Sequence, residues 1–149
     1  MAVHKTFKSL GDAIGRYGKT IEQQANRVVY ETATDIAHNI IRATPVDTGR
    51  ARSNWIPRIG GPSSHTRNPF APGRHLGVGE SGNARAALAN ATAVFSQRKP
   101  GGGPLYLTNN LKYIARLNEG YSKQAPSGFV QTSIQSALTT LTKQKLLKD

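Results

Sequence analysis

TIEQQANRVVYETATDIAHNIIRATPVDTGRARSNW, residues 20–55, decides the architecture. Ile21, Ala25, Val28, Thr32, Ile36 and Ile40 recur at steps of three and four and form one apolar stripe. Val29, Ala33 and Ala37 widen that stripe on one side, while Glu22, Gln23, Arg27 and Asp35 stay off it. The spacing predicts a helix over residues 20–41. Thr44-Pro45 ends it, because a residue before proline is pushed out of the α region. Residues 53–59 then read as a short strand anchored by Trp55. Pro57 has no N–H to donate, which suits an edge position.

Upstream of this stretch the helical signal weakens. Gly11, Gly15 and Gly18 each cost about 1 kcal/mol relative to alanine inside a helix. Residues 1–19 are therefore expected as a separate helix or an arm. Downstream, residues 60–82 are rich in glycine, proline, serine and arginine without a period, and read as one long basic loop. Loops of that length are usually functional or disordered. Residues 83–97 return to helical spacing through Ala84, Ala87, Leu88, Ala91 and Phe95, with Ser81 or Asn83 able to cap the start. Pro100 and three glycines stop that element. Residues 105–108 (Leu-Tyr-Leu-Thr) read as a strand and Asn109-Asn110 as a turn. Residues 113–118 fit either a helical turn or a strand. Val130, Ile134, Ala137, Leu138 and Leu141 mark a last helix over about residues 128–147, with lysines in its final turns, where they suit the helix dipole. The sum is an α+β fold in one domain over residues 1–149. It has a long N-terminal helix, a small, mostly antiparallel sheet of few short strands, a middle helix and a C-terminal helix.

Composition narrows the function. Of 149 residues, 37% are hydrophobic and fifteen are glycine, so the core is thin and contacts with neighbours are expected to complete it. Without cysteine, neither a disulfide nor a thiolate metal site is possible. No apolar stretch suits a signal peptide or a membrane span, so a soluble chain made inside the cell, with no membrane partner, is expected. Net charge is +12. Residues 45–104 contribute half of it, with eight basic side chains against Asp47 and Glu80. Such a field favours phosphate or an acidic protein surface.

Three short motifs suggest enzymes and each fails on context. Gly77-Val-Gly-Glu-Ser-Gly82 matches a dinucleotide fingerprint, but no buried strand precedes it and no acid follows before Glu119. Asp47-Thr-Gly49 is the short signature of aspartic proteases, yet Arg50 and Arg52 favour an ionised carboxylate and oppose proton sharing. A turn is the simpler reading, with Asp47 accepting backbone N–H groups and Gly49 supplying an unusual φ. Asn90-Ala-Thr92 is a glycosylation sequon in a helical context. The four histidines show no metal-ligand spacing. No catalytic, cofactor or metal site is predicted. The basic middle remains, with Arg50, Arg52, Arg58, Arg67 and Arg74 as candidate contacts for DNA or an acidic partner. Few aromatic rings lie beside them, and no recognition-helix or zinc-finger pattern is present, which argues against base stacking and sequence-specific reading.

Two blocks carry a family resemblance. Ala43-Thr-Pro-Val-Asp-Thr-Gly-Arg-Ala-Arg-Ser-Asn-Trp55, directly after a long helix, resembles the P-V-D-T-G…S-x-W block of phage tail-completion proteins. These are head–tail joining proteins related to minor tail protein Z of lambdoid phages. Leu105-Tyr-Leu-Thr-Asn-Asn-Leu-Lys-Tyr-Ile-Ala-Arg-Leu-Asn-Glu-Gly120 looks like the same family's second block, followed in order by residues 121–130 and an apolar helix. That family often has an acid one place before Glu119, where this chain has Asn118. The resemblance implies a non-enzymatic virion subunit of the phage neck that assembles on itself as a sixfold ring. Its implied partners are head-completion or connector proteins on one side and a tail terminator or tail tube protein on the other. Genomic double-stranded DNA would pass through the lumen, bound without sequence preference, and assembly would take place in the host cytoplasm. Pro45, Asp47, Gly49, Trp55, Tyr113, Gly120 and Pro126 are then scaffold residues. The alternative left by charge alone is a basic nucleic-acid-binding module unrelated to a virion.

Overall fold

A computed structural model of the chain describes residues 2–73 and 80–146, with side chains placed for 8–73 and 81–144. Helix α1 (Ala2–Ala43) is one continuous helix of 42 residues, roughly 63 Å at the usual rise. The three glycines do not break it, so residues 2–19 continue the main helix rather than forming a separate one. A four-residue turn of helix, α2 (Arg50–Ser53), precedes strand β1 (Ile56–Ile59). The strand expected from residue 53 thus begins at Ile56, and Trp55 sits at the junction. α3 (Glu80–Phe95), β2 (Leu105–Thr108), α4 (Ile114–Asn118) and α5 (Phe129–Leu146) complete the order. α3 starts earlier than its apolar period suggested, so Asn83 lies within its first turn instead of capping it. The ambiguous segment at 113–118 is helical.

β1 and β2 pair antiparallel, with Ile56 opposite Thr108 and Ile59 opposite Leu105. The Gly60 N–H extends the ladder to the Pro104 carbonyl at 2.8 Å. Missing its own N–H, Pro57 is harmless in a two-stranded sheet, where each strand is an edge.

The core forms where the C-terminal half of α1 meets α3 and α5. Ala37, Ile40 and Ile41 of α1 pack with Ala87, Ala91 and Phe95 of α3, and with Trp55, Ala125 and Phe129. Ala37, Ala87 and Ala91 are wholly buried. Side chains this small let α1 and α3 approach closely. Asn39 adds a tie to α5 by donating to the Ser133 carbonyl at 3.3 Å. No described helix is long and apolar enough to cross a membrane.

Candidate functional site

The two sequence blocks meet at the C-terminal end of α1. Thr44, fully buried, follows the last residue of the helix, and its hydroxyl donates to the Ile40 carbonyl at 2.6 Å. The same hydroxyl accepts the Trp55 indole N–H at 2.8 Å. Trp55 is thereby locked to the helix by packing and by a hydrogen bond. Arg52 turns back on the same end, its Nε donating to the Thr44 carbonyl and a terminal nitrogen to the Arg42 carbonyl, both at 2.9 Å. A helix leaves its last carbonyls without partners, and a cation there also suits the dipole. Arg52, read as a surface contact from charge alone, thus has a scaffold position.

Three side-chain amides then act as substitute backbone. The Gln124 amide accepts from the Val46 N–H and donates to the Val46 carbonyl, each at 2.8 Å. Asn54 holds Arg67 in the same reciprocal way, again at 2.8 Å on both sides. Asn83 holds Ala71 with two bonds of 2.7 Å. A primary amide offers a donor and an acceptor side by side, so it pairs with one residue as a neighbouring strand would. Gln124 ties the segment that follows the second block to the first block; Asn54 and Asn83 fix the loop. Asn110 adds to this by donating to the Ser63 and His65 carbonyls at 2.9 and 3.1 Å. The described part of the long loop, residues 60–73, is therefore well bonded although it contains no strand or helix.

Gly49 makes the Asn83 clamp possible. Its φ of 76° lies in the left-handed region, and a Cβ there would stand 2.0 Å from the Asn83 amide nitrogen. Glycine at this position thus serves both the turn and the close approach. Asp47 does not accept the backbone N–H bonds expected of it; its side chain is exposed, without a hydrogen bond among the described residues. Gly120 (φ 91°) and Gly128 (φ 76°) turn the chain from α4 into α5. Asn118 supports that turn. Its Oδ1 accepts the Val130 N–H at 3.0 Å and its carbonyl accepts the Gly128 N–H at 2.6 Å. The position where the resembling family often has an acid thus receives a helix N-terminal N–H, a duty that a carboxylate also fulfils.

The arginines fall in different places. Arg50 and Arg67 come together, since the Asn54 amide nitrogen donates to both of their carbonyls at 2.8 Å. Arg50 is exposed, and the Arg67 guanidinium lies 5.0 Å from the Phe70 ring centre. Arg58 stands exposed on β1 with one nitrogen donating to the Pro62 carbonyl at 3.0 Å. Arg74 lies outside the described residues, as do residues 77–79 of the glycine motif. On the exposed face of α1, Arg27 pairs with Glu31 at 2.7 Å. Arg50, Arg58 and Arg67 form no ion pair with a described carboxylate.

Beside Arg50 opens a groove of about 460 Å³, lined by Pro45, Val46, Asp47, Tyr113, Leu117 and Tyr121 among others. Burial pushes the Tyr113 phenol above its ordinary value; Arg50 opposes that shift and Asp47 adds to it. Tyr121 is 81% exposed at the rim. Pro126 is exposed on the loop between α4 and α5. No group of three or more potential metal ligands occurs among the described residues.

The amides at Asn54, Asn83 and Gln124 were not legible as partners of Arg67, Ala71 and Val46. Their one visible signal is the presence of asparagine and glutamine next to turns.

A protein-family model described as "Bacteriophage HK97-gp10, putative tail-component" matches residues 8–120. Neither a curated protein nor a solved structure matches the chain.

Proposed function

The chain belongs to the HK97-gp10-like family of bacteriophage tail components, and from that membership we propose that it is a neck subunit that joins head to tail. The family supports a structural, tail-related role and a place in the virion. The finer reading is a ring of identical copies, sixfold, between head-completion or connector proteins and a tail terminator or tail tube protein. Genomic double-stranded DNA would pass through its lumen, and the work would be mechanical and electrostatic rather than catalytic. Assembly would take place in the host cytoplasm.

One observation carries this reading furthest. Arg50, Arg58 and Arg67 are carried on a bonded backbone, and none forms an ion pair with a described carboxylate. Guanidinium groups without an ion-pair partner, carried on a bonded backbone, suit phosphate or carboxylate on a partner, and a chain at +12 attracts both. The Arg50→Glu, Arg67→Glu double variant tests it in the phage. Filled heads and free tails should accumulate unjoined, while the purified variant keeps its helical spectrum. Normal yields of infectious particles would refute the assignment of these two arginines. Binding of the purified chain to double-stranded DNA would separate the two kinds of partner. Each phosphate contact steepens the fall of affinity with salt by about 0.9 in log–log slope.

A further inference from the structure

α1 runs well past the body it helps to build. Its last described side-chain tie to that body is Asn26, which donates to the Arg98 carbonyl at 3.2 Å and accepts from the Arg98 guanidinium. Before it, every residue from 8 to 25 is exposed. That includes Leu10 at 54%, Ile14 at 64%, Tyr17 at 71% and Ile21 at 49%. Their steps of four, three and four place them on one stripe, the spacing with which helices interlock. In the sequence the same steps continue back to Phe7 and Val3. Asp12 and Lys19 fall on the opposite side of the helix. Gly11 and Gly18 flank the stripe, with nothing within 4 Å of where a Cβ would stand, so another backbone can come close. Four large apolar side chains in a row on one exposed helix mark an interaction surface.

We propose that this stripe packs against α1 of a second copy of the chain, helix on helix. Charge selects that occupant. Residues 8–25 hold three cations (Lys8, Arg16, Lys19) and two acids (Asp12, Glu22), a net +1 in a chain of +12. Two copies meet here with little repulsion, whereas pairing their basic segments sets like charge against like. DNA or an acidic protein would be drawn to those basic segments instead of a stripe that contains no cation. The 4-3-4 spacing calls for a helical partner, and α1 of another copy presents such a helix with the same open glycine flank. The contact deepens the ring reading by supplying a joint between neighbours, and rests on it only for that role.

Sedimentation of the purified full chain tests the contact without any other virion part. Wild type should associate as concentration rises to the order of 100 µM. Raising salt to about 0.5 M should strengthen association, since it screens the residual repulsion and leaves apolar contact intact. Ile14→Asp with Tyr17→Asp should weaken association by about tenfold or more at unchanged helicity, while Lys19→Asp on the opposite side should not. A chain that stays monomeric throughout, or equal association of the stripe variant, overturns the proposal. So does a monomeric wild type whose stripe variant still fails to join heads to tails, because the occupant is then another virion protein. Stripe-dependent association in a protein that is absent from the head–tail joint supports the contact and defeats the ring reading alone.

Discussion

Residues 8–25 and residues 60–73 reverse the usual link between regularity and anchorage. The first are perfectly helical, and every one of them is exposed. The second hold neither helix nor strand, yet Asn54, Asn83 and Asn110 bond their backbone at Arg67, Ala71, Ser63 and His65. Helix formation satisfies N–H and C=O groups locally and needs no neighbour. A loop must find its partners elsewhere, and here side-chain amides supply them. Local regularity and tertiary fixation are thus separate properties. The irregular segment carries Arg67 at a fixed place, while the regular one reaches outward.

Breaking the clamps should have the largest effect. Gly49→Ala combines a left-handed φ with a Cβ set against the Asn83 amide. It should destabilise the chain by roughly 3 kcal/mol or more, from backbone strain plus lost buried hydrogen bonds, as read by urea unfolding. An unchanged midpoint would mean that the turn accommodates a side chain. Asn54→Ala comes next. It removes two bonds to Arg67 and one to Arg50, and about 2–3 kcal/mol should be lost. Hydrogen exchange checks the mechanism more sharply: the Arg67 and Ala71 amides should be protected in wild type, and Arg67 should lose protection in this variant. If the Arg67 amide exchanges at the rate of a free loop in wild type, the clamp does not hold in solution.

Much of the fold was legible beforehand. Thr44-Pro45 marked the end of α1, Leu105 to Thr108 read as a strand, and the apolar faces of α3 and α5 were visible in their spacing. Periodicity reports that a helix has an apolar face, but not what covers it. The period therefore groups Ile21 with Ile36 and Ile40, although Ile21 stands half exposed beyond the body. Charge counting is blind in a different way. Arg52 counts as one cation among many, and nothing local reveals that its donors meet the carbonyls at the end of α1. Asparagine is harder still. Its pairing with a backbone residue twelve or thirteen places away follows from tertiary approach, which leaves no period and no charge pattern.

The smallest expected effect lies in the exposed half of α1. Gly15→Ala should raise helicity slightly and add at most about 1 kcal/mol to local helix stability. The unfolding midpoint of the body should shift by no more than the equivalent of about 0.5 kcal/mol, because nothing lies within 4 Å of the new methyl group. A large shift in that midpoint would show that residues 8–25 are coupled to the body after all.

Imaging the assembled particle at side-chain detail tests the account most directly. A ring of this chain should occupy the joint between head and tail, with Arg50 and Arg67 against DNA in the lumen or against acidic side chains of the adjoining ring. Its absence from that joint, or these two arginines pointing into bulk solvent, would contradict it.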